Sequence, residues 1–469
     1  MADTSQRISI SYPIIIVIVG SLLCAAFANN SIYLICCLVT CFLIVYLLWR
    51  NSRPGILVFA MLMQLSQVIA YVFWMNTLGF TIESVAKHGG IAVVVSCLGL
   101  LFMALTISLG LKSLAMPSIE QLNQQARLFN EKKILTLYIF STLFMGSIGV
   151  ALGGNPGFAQ ILMAMSSFKW IFFMVYGYVA WINKKNRLIL GAIIIFEFTT
   201  SLYSYFSSFK EVIFYTIILS LTFIRTISIK QLITGIVIGG LLFFLLLTWT
   251  AIKGDYRKFL NGGTKQQVIE VSRSEAFSKI GQKVSSLKWE DYQNVLSLFL
   301  YRAQYILHLA KTMDRVPDLL PHEYGQVWLD NITFVLEPRL FFPDKPIYEA
   351  TVKTKKYTGI RYAGFKDGAS FSLGYFADSY IDFGYVGMLL PLIMVALFVV
   401  IIFRVLYGFR KLNILLRYAV INVALIQFTS FEADGLFLFG QLLLMFLVFW
   451  FLSRFVLPRL QVWLYKTNT

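Results

Sequence analysis

The sequence predicts an all-α polytopic membrane protein with about twelve transmembrane helices and one large extracytoplasmic loop. Three observations carry that prediction. Of 469 residues, 58% are hydrophobic and only 13% charged, against roughly a quarter charged in an ordinary soluble domain, so the chain could not cover its own surface in water. Apolar runs of the length a bilayer-crossing helix needs, about 20 residues, recur along the chain. The short connections between them alternate in basic content, the asymmetry that sets orientation.

The predicted spans, in order, are 13–29, 31–49, 55–79, 90–111, 133–153, 157–182, 188–206, 211–227, 231–252, 385–403, 412–431 and 435–453. One set of connections holds Arg7, Arg50, Arg53, Lys112, Arg127, Lys132, Lys133, Lys184, Lys185, Arg187, Arg225, Lys230, Arg404, Arg410, Lys411, Arg454, Arg459 and Lys466; the opposite short connections hold only Lys87 and Lys210. Both termini are therefore expected in the cytoplasm. A signal-peptide-like start, ending in Ala26-Phe27-Ala28, carries only Arg7 as its basic region, and its retention as the first span is expected.

Residues 1–252 thus carry spans one to nine, 253–371 an extracytoplasmic loop domain and 372–469 spans ten to twelve. The loop has 18 basic and 13 acidic residues, and long loops translocate regardless of charge. Within it, 288–313 has apolar residues at helical spacing and reads as one amphipathic helix, with His308 on its polar face. Pro317, Pro321, Pro338, Pro343 and Pro346 divide the remainder. A loop this long in a tight bundle is usually functional.

Several classes are excluded. The net charge of +17 sorts into orientation signals and a nearly balanced loop, so nucleic acid is not an expected partner. Five cysteines in apolar runs and three scattered histidines make neither a disulfide framework nor a metal centre, and no cofactor is expected. The sequons at Asn29 and Asn331 have meaning only where the host glycosylates.

Charged groups at bilayer depth cost roughly 3 kcal/mol on insertion scales, which makes each a functional candidate. Lys169 and Glu197 lie mid-span on adjacent antiparallel helices and read as an intramembrane pair, either fixing helix register or lining a cavity. Arg417 reads as snorkelling to headgroups. Lys210 and Glu211 sit where a helix N-terminus meets the outer surface, a setting that suits an anion. Glu432 and Asp434 read as a solvated outer turn, whereas Asp378 and Asp382 lead directly into a span.

From Gly325 the chain reads GQVWLDNITFVLEPRLFFPDKP, and further on SFSLGYFADSYIDFGYVGMLLPL. This combination resembles the Wzy-type polymerases of O-antigen and other surface polysaccharides. The matching residues are Pro338, Arg339, Pro343, Asp344, Lys345 and Pro346, then Asp378, Phe383, Gly384 and Gly387. Lys210 stands where that family usually carries arginine and Asp378 where it usually carries glutamate; its Arg-x10-Gly loop repeats have no counterpart.

The resemblance implies a GT-C-like, metal-independent glycosyltransferase in a bacterial cytoplasmic (inner) membrane. Such an enzyme joins polyprenyl-pyrophosphate-linked repeat units on the outer face, among membrane lipids, with a chain-length regulator and a flippase as partners. A pyrophosphate leaving group needs fixed positive charge, and the attacking hydroxyl benefits from a carboxylate base. The resemblance thus implies Lys210, Arg302, Arg339 and Lys345 as pyrophosphate ligands, Asp378 as the favoured base and Glu211 as its reserve. A charged helix face remains the other reading of Arg302, and an ion pair with Asp344 that of Arg339 and Lys345. A flippase for lipid-linked oligosaccharide and a glycan ligase remain open alternatives.

Overall fold

The computed structural model describes residues 12–26, 28–50, 53–152, 164–202, 209–224, 228–262, 271–338, 341–342, 344–362, 364 and 370–466. Arg7, Arg225 and Arg339 lie outside these described residues. Within them the protein is all-α, and a helix lies on each of the twelve predicted stretches. In chain order these are α1 (Tyr12–Ala26), α2 (Ser31–Leu48), α3 (Ile56–Thr77), α4 (Gly89–Gly110), α5 (Ile119–Arg127), α6 (Glu131–Leu152), α7 (Phe168–Asn183), α8 (Arg187–Leu202), α9 (Phe209–Phe223) and α10 (Ile229–Leu260). The loop contributes α11 (Arg273–Ser285), α12 (Trp289–Ala303), α13 (Ile306–Met313), α14 (Gln326–Leu336) and α15 (Ala350–Thr358). The chain then closes with α16 (Tyr375–Gly387), α17 (Leu389–Tyr407), α18 (Ile414–Ala424), α19 (Gly435–Phe451) and α20 (Leu457–Leu464).

Among the described residues, six helices are long and apolar enough to cross a bilayer: α2, α3, α4, α10, α17 and the continuous stretch Gly435–Leu464. Burial separates the bundle's interior from its rim. Every residue of α7 from Trp170 to Ala180 is buried, as is nearly all of α18. By contrast α10 exposes Ile233, Ile236, Val237 and Leu241, an apolar face that in water would be a liability and in lipid is the ordinary surface. At 32 residues, α10 is roughly 48 Å long, so its polar end beyond residue 252 overhangs the apolar stretch.

The predicted 288–313 helix is two helices, not one. Gln304 has extended backbone angles (φ −86°, ψ 143°), and its side-chain oxygen accepts from the Leu307 N–H at 3.0 Å, capping α13 while α12 ends. The elbow lets α12 lie against α10 and α3 while α13 turns onto α4, α15 and α16. The apolar stripe predicted for α12 faces α10: Tyr292 stacks on Phe244 with centroids 5.1 Å apart, and Phe299 meets Phe243 at 5.6 Å. His308 is not on a polar face. It is 5% exposed, its Nε2 lies 2.8 Å from the Tyr362 hydroxyl, and burial lowers its pKa to about 4, so it is neutral at physiological pH.

Candidate functional site

Two clusters of charged side chains hold most of the sequence-predicted candidates among the described residues, one reached from α12 and the other from α13. The first runs across α6 to α10. Lys169 Nζ lies 2.7 and 2.9 Å from the two carboxylate oxygens of Glu197, and the Tyr138 hydroxyl donates to the same carboxylate. Glu197 is 5% exposed, so its negative charge is matched by one ammonium and one hydroxyl, as a buried charge requires. The Lys169 ammonium also sits 4.6 Å from the Trp170 ring centroid, and Trp170 Nε1 donates to Glu211 Oε2 at 3.0 Å. Lys169 and Glu197 therefore form an ion pair, and it is linked to Glu211 through one tryptophan.

From Glu211 the cluster becomes cationic. Lys210 is exposed. On the overhanging end of α10, burial lowers the pKa of Lys253 to about 8, with the charges of Arg302, Arg257 and Lys210 acting in the same direction. Lys210 on α9, Arg257 on α10 and Arg302 on α12 thus each lie within electrostatic reach of Lys253. Such an arrangement is costly unless an anion neutralises it. The structure brings together Lys169, Glu197, Lys210, Glu211 and Arg302 from the sequence prediction and adds Lys253 and Arg257, which the sequence reading passed over as loop charges.

The second cluster is built where the two stretches that carry the family resemblance meet. Asp382 accepts from the N–H groups of Val327 and Trp328 at 3.0 and 2.9 Å, capping the otherwise unsatisfied N-terminus of α14. Trp328 Nε1 donates to Ser379 Oγ at 3.1 Å, and Asn331 Nδ2 to Asp378 Oδ2 at 3.1 Å. Positions 378, 379 and 382 on α16 thus face 327, 328 and 331 on α14, each triplet spaced to lie on one side of a helix. Asn331 is 4% exposed, so its sequon is shut inside the fold.

At the centre, Lys353 Nζ from α15 lies 2.9 Å from Asp378 and 3.3 Å from Asp434. Asp378 also accepts from the Gly435 N–H at 2.8 Å. Asp434, the N-cap of α19, accepts from the Phe437 N–H at 3.1 Å and from the Tyr348 hydroxyl at 2.5 Å. Both aspartates are fully buried, which corrects the reading of Asp434 as part of a solvated turn; Glu432 beside it accepts from Gln67 Nε2. The close approach requires glycine at 435, where a Cβ would lie 2.7 Å from Asn331 Nδ2.

Two carboxylates share one ammonium here. Burial opposes the charge on Lys353, but Asp378 and Asp434 outweigh it and hold the lysine above its ordinary range. Burial, countered by Lys353 and reinforced by Asp434, pushes the Asp378 carboxyl up. A raised carboxyl pKa suits a general base. Asp378 itself is fully buried, and the side chain of its partner Lys353 is 15% exposed.

Lys345, read from the sequence as a pyrophosphate ligand or as the partner of Asp344, is turned onto the end of α14. Its ammonium donates to the carbonyls of Phe334 and Glu337 and lies 3.5 Å from the Phe334 ring centroid, satisfying carbonyls at the C-terminal end of α14. Gly384 explains the Phe-Gly of the second stretch: with φ 67° and ψ −164°, it kinks α16 three residues before its end, a conformation that favours glycine.

The elbow joins the clusters. Arg302 acts on Lys253, and three residues later Tyr305 is subject to the charges of Glu432 and Asp434. No curated protein and no solved structure matches the chain. A family described as a domain of unknown function (DUF8712) matches residues 53–459, a range that takes in both clusters, and the chain belongs to that family.

Proposed function

We propose that the protein is a Wzy-type polymerase that joins polyprenyl-pyrophosphate-linked oligosaccharide repeat units into a surface polysaccharide. In this reading twelve helices cross a bacterial cytoplasmic membrane in a GT-C-like arrangement, both termini are cytoplasmic, and the α12–α13 elbow faces outward. The observation that carries it is the pairing of a cation-rich cluster with a carboxylate cluster across that elbow. Each has the charge that one half of the reaction calls for.

The donor's pyrophosphate lies against Lys210, Lys253, Arg257 and Arg302, with Arg339 as a further ligand. As the acceptor hydroxyl oxygen bonds to the anomeric carbon, the bond from that carbon to the phosphate oxygen breaks, and polyprenyl pyrophosphate leaves with the electron pair. The fixed cations stabilise the charge accumulating there. Asp378 receives the hydroxyl proton once Lys353 swings aside, and Glu211, near the cations, is the alternative acceptor of that proton. The Lys169–Glu197 pair favours a second reading, a flippase for the same lipid-linked oligosaccharide, because ionised groups at bilayer depth often mark transport paths.

Purified protein supplied with a polyprenyl-pyrophosphate-linked repeat unit separates the two. A ladder of longer glycans with release of free polyprenyl pyrophosphate is expected. A substrate that stays monomeric in detergent, yet moves across the bilayer when the protein is in vesicles, would overturn the polymerase reading in favour of the flippase.

A further inference from the structure

The bundle end that carries the basic short connections, opposite both clusters, contains a polar cavity of about 450 Å³ lined by Asn123, Arg127, Glu131, Ile182, Asn183, Lys185 and Lys466. That volume lies within the range of ordinary ligand sites. Four separate parts of the chain build it. On α5, Asn123 and Arg127 are one turn apart and share a face, and a capping box fixes the start of that helix: Gln121 N–H donates to Ser118 Oγ at 3.3 Å and Ser118 N–H to Gln121 Oε1 at 2.9 Å.

The C-terminal segment is tied across the cavity. Phe129 and Tyr465 form an antiparallel bridge, with Asn130 N–H donating to the Leu464 carbonyl and Lys466 N–H to the Leu128 carbonyl, both at 2.9 Å. Lys133 Nζ adds a bond to the Tyr465 carbonyl at 3.1 Å. On the opposite wall, the turn after α7 carries Lys184 and Asn186 at φ 54°. It directs the side-chain amides of Asn183 and Asn186 onto Glu131, the first at 3.2 Å.

Glu131 is thus engaged by two amides, and three cations remain around the cavity. Membrane orientation explains basic residues at this end of the bundle; it does not explain their convergence from distant parts of the chain on one walled, polar space. We infer that this cavity binds a phosphate-bearing anion, held by Arg127, Lys185 and Lys466 with Asn123 as a neutral donor. Arginine's planar fork matches phosphate oxygens in pairs. The ligand has two sources: the headgroup of an anionic phospholipid in the adjoining leaflet, which basic pockets on that side bind, or a soluble phosphate compound. The inference is independent of the polymerase reading and stands if that reading fails.

The test uses delipidated full-length protein and the Arg127→Ala/Lys466→Ala variant, with Lys185→Gln as a milder second variant and equal melting temperatures as the control for folding. Native mass spectrometry with phosphatidylglycerol against phosphatidylcholine, and calorimetry with inorganic pyrophosphate, read the two sources. Selective retention of phosphatidylglycerol that falls about thirtyfold in the double variant assigns the site to the headgroup. A similar loss confined to pyrophosphate assigns it to a soluble anion. Binding of both probes that is equal in wild type and both variants overturns the inference.

Discussion

The two clusters solve opposite electrostatic problems. Around Asp378 both carboxylates are fully buried and held by several partners: Lys353, Asn331 and the Gly435 N–H converge on one carboxylate, while Tyr348 and the α19 amide hold Asp434. Around Lys253 the cations gather from α9, α10 and α12, and Lys210 and Arg302 are exposed. The first region is organised before any ligand arrives. The second concentrates positive charge around Lys253, a setting that favours an added anion. Dense internal pairing on one side and clustered positive charge on the other is the division that the proposed polymerase would use, with a fixed base and a leaving group that arrives and departs as an anion.

Substitutions in the rigid cluster have the largest expected effect. Lys353→Ala leaves two buried carboxylates without their cation, which costs about 3–5 kcal/mol and lowers the midpoint of thermal unfolding in detergent. Lys353→Met combined with Asp378→Asn removes the charge mismatch and leaves Asp434 its Tyr348 and amide donors, so the pair loses less than the single variant. Strictly additive losses would sink the idea that the three residues act as one unit.

Next in size is the cationic side. If it holds the leaving pyrophosphate, Arg302→Ala lowers polymerisation by about a hundredfold, and Arg302→Lys restores only part because an ammonium lacks the bidentate fork. Because Arg302 is exposed, protein yield and melting temperature stay near wild type. An unchanged glycan ladder in Arg302→Ala removes that residue from the site. Gly435→Ala should cost about 1–3 kcal/mol through the clash with Asn331, with a loss of stability and activity together.

Much of this was legible in the sequence because it rests on local rules. The helices follow from the apolar runs, and Asp434 before GLFLFGQLLL has the form of an N-cap, although its solvated reading missed what the cap is buried against. The spacing of Asp378, Ser379 and Asp382 on one side of a helix was equally open to view. Lys353 was not: it is one of three lysines in TVKTKKY, and nothing in that segment tells which is buried. Lys253 and Arg302 come together only because Gln304 ends α12 and seats it against α10, and a long-range packing decision of that kind leaves no mark in composition or periodicity.

The smallest expected effect tests the cationic cluster at its least stable charge. Lys253 has a pKa lowered to about 8, below the ordinary lysine value near 10.4. The unfolded chain therefore binds more protons than the folded one between about pH 8 and pH 10, and this residue's contribution to stability rises with pH across that window. An anion reverses the preference, since it stabilises the protonated lysine and is held less well once the proton is lost. Pyrophosphate affinity should then fall as pH rises from 7 to 9, with a fraction of a proton taken up on binding near pH 8. Lys253→Gln should flatten this dependence while weakening binding at pH 7. Calorimetry in buffers of different ionisation enthalpy reads the proton uptake directly. A pH-independent affinity in the wild type would separate Lys253 from the anion and leave the carboxylate cluster as the better-founded half of the site.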